Sequence, residues 1–147
     1  YKFNFHIMKK GILFFVIALF FVSIKLFSQE SQHPIDKYLD SCFQKNDYTT
    51  VGMMNCTEEA IKMWDDELNK YYKLLMKILD EESAKTLKTS ELQWIEFKEK
   101  EFKNIESIYS KLDGTMYIPM QYYVKMEIIK TRAKQLGDFY GLLTEYK

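Results

Sequence analysis

The chain has 147 residues, 21 of them basic and 21 acidic, so its formal net charge is zero. This length suits one domain rather than two. After residue 28 the chain has two cysteines and one histidine, His33, which is fewer than the four ligands of a structural zinc site.

Residues 1–28 have the layout of a secretory signal peptide. Met8 is followed by two lysines, and Gly11–Val22 is an uncharged, almost wholly apolar run. This run is shorter than the about 20 apolar residues that a membrane span needs. An uncleaved N-terminal anchor is the alternative, because Leu26 replaces the small residue expected three positions before a cleavage site. Residues 1–7 precede the expected initiator methionine and are interpreted as an upstream extension.

The sequence therefore predicts a single exported domain, residues 29–147, in the periplasm or outside the cell. Residues 1–28 hold four of the 21 basic residues and no acidic one, so the exported part has four more acidic than basic residues. This charge would favour basic protein partners over nucleic acid. Contact with a membrane is expected only through residues 1–28, if they are not cleaved.

Two prolines and five glycines in the whole chain favour helices over strands. Pro34 precedes a short helix over about 35–44, since proline is tolerated in a first helical turn. Thr49 or Thr50 can cap a long second helix that ends near Leu79. Its apolar residues recur every three or four positions, which predicts one buried stripe: Ile61, Trp64, Leu68, Tyr71, Leu75 and Ile78.

A third helix is predicted from about Ser83 to Leu112, followed by the stop signal Asp113-Gly114-Thr115. A fourth is predicted from about Pro119 to Glu145. The predicted fold is all-α, an antiparallel bundle of three long helices plus a short N-terminal helix. The predicted buried stripes are Leu87, Trp94 or Ile95, Phe102, Ile105, Tyr109 and Leu112 on the third helix, and Tyr122, Ile129, Leu136, Phe139 and Leu143 on the fourth.

Cys42 and Cys56 are predicted to form a disulfide, because the chain is expected to reach an oxidising compartment. The bond would tie the short first helix to the second. Closing a loop of about 15 residues stabilises by up to ~3 kcal/mol through the entropy of the unfolded chain. No catalytic triad, phosphate-binding glycine loop or metal-ligand cluster is present in the sequence, so neither an enzyme nor a cofactor is predicted.

One ordered pattern resembles the LprI-like family of small bacterial secreted or lipoprotein domains, which is named for a lysozyme inhibitor. The pattern is Cys42, Cys56, Asp65-x-x-Leu68-Asn69-x-x-Tyr72-x-x-Leu75 and Gln93-Trp94, and the resemblance covers roughly residues 40–137. We expect these positions to be mainly structural. Asn69, a polar residue beside the apolar stripe, should bond to a neighbouring helix or its loop, and Trp94 should anchor the core because of its large apolar area. The complete motif set is Asp65, Leu68, Asn69, Tyr72, Leu75, Gln93, Trp94, Arg132 and Leu136.

The chain departs from the family pattern at two places. Lys98 stands where relatives usually have arginine, which would weaken a bidentate salt bridge. Many relatives carry a second cysteine pair, and the matching positions here hold Phe102 and Val124. We predict that these two side chains are in contact, so that an apolar contact replaces the bridge.

The resemblance implies a stoichiometric inhibitor of lysozyme or another cell-wall hydrolase. The candidate contact segment combines a turn with apolar residues and consists of Asp113, Gly114, Thr115, Met116 and Tyr117. The alternative is an envelope structural or adaptor protein that binds another protein through its helices. Tyrosines that a thin bundle cannot fully bury would favour this alternative, namely Tyr71, Tyr109, Tyr122 and Tyr123.

Overall fold

The computed structural model describes residues 32–145, which form four helices and no strand. These helices are α1 (Pro34–Lys45), α2 (Thr50–Ile78), α3 (Glu81–Tyr109) and α4 (Tyr117–Glu145). The prediction of an all-helical fold is confirmed. The predicted signal segment, residues 1–28, lies outside the described residues. No helix within residues 32–145 is both long enough and apolar enough to cross a membrane.

Two side-chain caps set where the long helices begin. The Gly52 N–H donates to Thr49 Oγ1 at 3.2 Å, which caps α2 as predicted. The Ser83 N–H donates to the Asp80 carboxylate at 2.8 Å, so α3 begins two residues before Ser83. This hydrogen bond stabilises the ionised carboxylate and lowers the pKa of Asp80 below its ordinary value.

The boundary between α3 and α4 differs from the prediction. α3 ends at Tyr109 rather than Leu112, because the N–H groups of Lys111 and Leu112 bond three residues back and tighten the chain into turns. α4 then begins at Tyr117. Gly114 lies between them with φ +118°. Residues that have a side chain rarely adopt this backbone conformation.

The core lies mainly between α2 and α4, which run in the same direction. Met53 shares an apolar depression with Met120 near the start of both helices, and Tyr71 contacts Gly137 further along. Small residues let the two backbones approach closely, so α2 and α4 stay in contact over most of their length. The buried residues are Cys56, Ala60, Trp64, Leu68 and Leu75 on α2, Met126, Ile129, Ala133 and Leu136 on α4, and Ile35 and Leu39 on α1.

α1 is held against this pair by a disulfide and by an ion pair. Cys42 and Cys56 are bonded, with Cα atoms 5.8 Å apart, and the predicted disulfide is thereby confirmed. Lys130 Nζ of α4 donates to the Asp36 carboxylate of α1 at 2.8 Å. α1 is therefore attached to both α2 and α4.

α3 is packed much less than the predicted bundle requires. Within α3 only Glu91 and Ile105 are buried, whereas Ile95 is exposed. α3 runs antiparallel to α4 and contacts it at a few positions, and it contacts α2 even less. Because α2 and α4 pack closely on each other, α3 covers only their shared edge. The sequence predicted that three further apolar residues would be buried, and this prediction is wrong. These residues are exposed: Leu112, Phe139 and Leu143.

Candidate functional site

A groove lies between α2 and α3, and five of the motif residues predicted from the sequence line it. Because the two helices contact each other little, about 370 Å³ between them stays accessible. We call this feature the motif groove. Its lining residues are Asp65, Leu68, Asn69 and Tyr72 from α2 and Lys88, Glu91, Leu92, Trp94, Ile95 and Lys98 from α3.

Asn69 makes its hydrogen bonds within its own helix. Its side-chain amide donates to the Asp65 carbonyl oxygen at 2.8 Å and to the Asp65 carboxylate at 3.0 Å. The predicted bond from Asn69 to a neighbouring helix or its loop is therefore wrong. The physical reason is the four-residue spacing, which brings Asp65 within reach while α3 stands away from this part of α2.

The remaining motif residues lie in different environments. Leu75 and Leu136 are buried in the core, and Gln93 is exposed on α3. Trp94 is half-buried and packs against the edge of the core at the rim of the motif groove. The tryptophan that is fully buried is Trp64, at 1% exposure. The core-anchor role expected of Trp94 is thus filled by Trp64, which faces α4.

The two departures from the family pattern involve Lys98 and Phe102 on α3 and Val124 on α4. Lys98 Nζ lies 5.3 Å from the centroid of the Trp94 ring, a cation–π distance. Phe102 packs against the core, with Lys125 Nζ 5.5 Å from its ring centroid. Val124 lines a neighbouring groove together with Trp94. Direct contact between Phe102 and Val124 stays a prediction.

An ion pair behind the motif groove joins α3 to α4. Arg132 donates from Nε to the Glu91 carboxylate at 2.8 Å and from Nη2 to the same oxygen. The two side chains are only 11% and 9% exposed. Arg132 also donates to Ser90 Oγ and to the Gln135 side chain. Nothing in the sequence distinguished Glu91 from the exposed glutamates of α3, so this partner was missed.

A second surface surrounds the turn between α3 and α4. It consists of the whole predicted contact segment and four exposed apolar residues beside it. These residues are Asp113, Gly114, Thr115, Met116 and Tyr117, together with Leu112, Ile118, Met120 and Tyr123. We call this set the turn surface. Met116 is 60% exposed, and only Tyr117 within the predicted segment is partly buried. Hydrogen bonds from the N–H groups of Tyr117 and Ile118 back into the turn hold its backbone in place.

An apolar depression of about 320 Å³ adjoins the turn surface. It was not predicted from the sequence, because its residues come from three separate helices and no local pattern marks them. Its lining residues are Phe43 of α1, Met53 of α2 and Met116, Pro119, Met120 and Tyr123 at and after the turn. Methionine side chains adapt to varied shapes, so this depression suits an apolar protein side chain.

The charge near the turn surface is balanced rather than acidic. Lys125 Nζ donates to the Glu106 carboxylate at 2.6 Å, and this bond lowers the pKa of Glu106. The turn itself carries one base, Lys111, and one acid, Asp113. Apolar contact therefore dominates what this surface offers a partner. Among residues 32–145, no group of three or more metal-binding side chains is placed to hold an ion.

Comparison with known proteins identifies a family and a similar fold. The profile of a family described as "Lysozyme inhibitor LprI" matches residues 42–136. A crystal structure of an uncharacterised protein from Burkholderia thailandensis has a TM-score of 0.74 and 22% sequence identity. That match covers 79% of this chain and 58% of the other chain, and it shows the fold alone. No curated protein matches the chain.

Proposed function

The chain belongs to the LprI lysozyme inhibitor family, and from this membership we infer that it is an exported, non-catalytic protein that binds and inhibits a lysozyme or a related cell-wall hydrolase. The family match over residues 42–136 is the observation that carries this proposal. The Cys42–Cys56 disulfide supports export, because structural disulfides persist in oxidising compartments such as the periplasm.

We propose that the hydrolase contacts the turn surface. Met116 and Leu112 project from a turn whose backbone is held by its own hydrogen bonds, so little conformational entropy is lost on binding. The adjoining depression can receive an apolar side chain of the partner. Such a protrusion can block a substrate cleft without any chemistry, and the expected stoichiometry is one inhibitor for one enzyme.

The net acidic charge of the exported part contributes less than the apolar surface in this proposal. Glu106 is already paired with Lys125, and the turn carries charges of both signs. Long-range attraction to a basic lysozyme would therefore raise the association rate only modestly, and salt would weaken it.

The experiment is lysis of a peptidoglycan suspension by lysozyme with increasing amounts of the purified, oxidised protein, at low and at physiological salt. We expect inhibition that saturates near one-to-one and changes little with salt. Strong loss of inhibition with salt would instead place the contact on an acidic face. No inhibition at large molar excess, with helicity confirmed by circular dichroism, would reject inhibition of that lysozyme.

One observation favours the alternative, an envelope adaptor that binds another protein through its helices. Exposed apolar side chains extend beyond the turn surface, with Leu92 on α3 and Leu142 near the end of α4 more than half exposed. Surfaces of this kind are common at protein interfaces. An adaptor would bind an envelope protein while leaving lysozyme activity unchanged.

A further inference from the structure

An exposed stripe on α3 has the spacing of a helix–helix interface. Lys88, Leu92, Ile95 and Glu99 follow one another at steps of four, three and four residues. This spacing places them on one face of the helix, as in the contact seam of a coiled coil. Leu92 is 61% exposed and Ile95 is 43% exposed, so the apolar centre of the stripe is uncovered within the described structure.

The charged residues at the two ends of the stripe are free to form ion pairs with a partner. Among residues 32–145, neither the Lys88 nor the Glu99 side chain has an ion pair or a hydrogen bond, and both are exposed. Other charged side chains of α3 are already engaged, for example Glu96 with Lys100. A single stripe thus carries one unpaired cation, two apolar residues and one unpaired anion in chain order.

We propose that this face binds a second copy of the chain, with the two α3 helices antiparallel about a two-fold axis between Leu92 and Ile95. A two-fold axis there sets each Leu92 against the partner's Ile95. Residues equally far from the axis then face each other, so each Lys88 meets the partner's Glu99. The stripe is therefore complementary to itself in charge as well as in apolar character.

The same charges disfavour the parallel arrangement. Parallel pairing would set Lys88 against the partner's Lys88 and Glu99 against the partner's Glu99. Like charges directly opposed are unfavourable, and such repulsion selects one orientation of paired helices. The charge pattern thus specifies both the occupant and its direction.

The proposed two-fold axis lies beside the motif groove, where there is room for a second helix. Leu68 and Trp94 line the groove beside Leu92 and Ile95. A second α3 lying along the stripe would cover Trp94 as well, whereas Leu68 is already buried. Trp94 and Tyr72 would then be partly covered at the interface, where aromatic side chains contribute large contact areas. A second copy on this face would explain why Leu92 and Ile95 of α3 are exposed in the single chain.

The proposal is independent of hydrolase inhibition. The last residue of α3, Tyr109, follows Ile95 by 14 positions in the helix, which corresponds to about 21 Å at 1.5 Å per residue. The turn surface, which begins at Leu112, therefore lies outside the stripe that makes the proposed contact. In an antiparallel dimer the two turn surfaces lie at opposite ends.

The test is sedimentation equilibrium of the purified, oxidised protein over a wide concentration range. We expect a reversible dimer. K88E and E99K should each weaken it about tenfold, because two attractive pairs per dimer become repulsive. A mixture of the two single variants should form a heterodimer near wild-type affinity, since both pairs are then attractive again. The double variant K88E/E99K should also recover, as antiparallel pairing requires.

K100E is the control for the charge change, because it lies on another exposed face of α3 and should leave dimerisation unchanged. It also breaks the exposed Lys100–Glu96 pair, so its helicity is checked by circular dichroism. L92D should abolish the dimer while helicity is retained, since Leu92 is exposed in the single chain. A protein that stays monomeric at the highest concentration reached would overturn the proposal. A dimer that K88E does not weaken, or that the double variant does not restore, would overturn it equally.

Discussion

Arg132 of α4 donates two hydrogen bonds to one carboxylate oxygen of Glu91 on α3, and both side chains are nearly buried. This contact matters because α3 has few others. The remaining ion pair between the same helices, Lys125 with Glu106, involves a glutamate that is more than half exposed. The position of α3 therefore depends strongly on one buried pair.

Replacing one partner of this pair should cost more than replacing both. E91A leaves the Arg132 guanidinium buried without its main acceptor, and we expect the free energy of unfolding to fall by about 3–5 kcal/mol. The double variant E91M/R132L removes both charges and should lie within about 1–2 kcal/mol of wild type. Urea unfolding of the single and double variants measures the difference. Equal losses in E91A and the double variant would show that the pair is not coupled.

Removing the disulfide should loosen α1. The variant C42S/C56S loses a link across 14 residues of sequence separation, and we expect its stability to fall by about 3 kcal/mol. Leu39 is buried in the wild-type structure. In the variant, hydrogen exchange should show that the backbone amide of Leu39 loses protection before the amides of α2 and α4 in the core do. Adding reductant should destabilise wild type and leave this variant unchanged. A reductant effect of equal size on both proteins would contradict the prediction.

Two glycines of α4 offer a matched pair of alanine variants. A Cβ at Gly137 would lie 3.1 Å from a carbon of the Tyr71 ring, whereas a Cβ at Gly141 meets nothing within 4 Å. G141A should stabilise by about 0.5–1 kcal/mol, because alanine loses less backbone entropy in a helix. G137A should lose this gain, since the Tyr71 ring packs against Tyr140 and resists displacement. Thermal unfolding of both variants is the measurement. G137A at least as stable as G141A would show that α2 and α4 are not closely packed there.

The Lys130 ammonium should contribute stability that disappears at alkaline pH. Burial alone would lower the pKa of Lys130, but hydrogen bonds and attraction from Asp36 and Glu127 outweigh it, and the pKa is raised above 10.5. Because the folded-state pKa exceeds the unfolded one, the contribution is fully present below the unfolded value and is lost as pH rises through the folded value.

We therefore expect wild type to be more stable than K130Q at neutral pH, with the difference shrinking above about pH 10.5. Urea unfolding of both proteins across this range tests it. Using the difference between the two proteins cancels the titration of tyrosines common to both. A gap that widens with alkaline pH would contradict the assigned direction of the pKa shift.

The turn surface should be sensitive to loss of a single apolar side chain. M116S removes an exposed side chain that also lines the neighbouring depression, and we expect the concentration for half-maximal inhibition of lysozyme to rise about tenfold. Folding should be unaffected, because the side chain is exposed. L142S, at an exposed leucine near the end of α4, serves as the control and should inhibit like wild type. Equal inhibition by M116S and wild type would move the contact away from this turn.

Much of the local structure could be predicted because its causes are local. The three- and four-residue spacing of apolar side chains predicted α2, and the threonine cap at Thr49 located its start within one residue. The Cys42–Cys56 bond followed from two cysteines in a chain expected to be exported. The start of α3 was predicted two residues late, because Asp80 caps the helix and accepts a hydrogen bond from the Ser83 N–H.

The surfaces could not be predicted in the same way. An amphipathic stripe indicates which face of a helix is apolar, yet it does not indicate whether another helix will cover that face. Leu92 and Ile95 stay exposed because α2 and α4 pack on each other through residues such as Ala60 and Ala133.

The sequence by itself determined the helices and the disulfide, since hydrogen bonding, capping and loop closure act over short stretches of chain. Only the tertiary structure decided that Glu91 is buried against Arg132 and that Phe43, Met53 and Met116 line one depression. These relationships depend on how closely each pair of helices approaches. That distance is set by side-chain volumes on both helices together, which no single stretch of sequence contains.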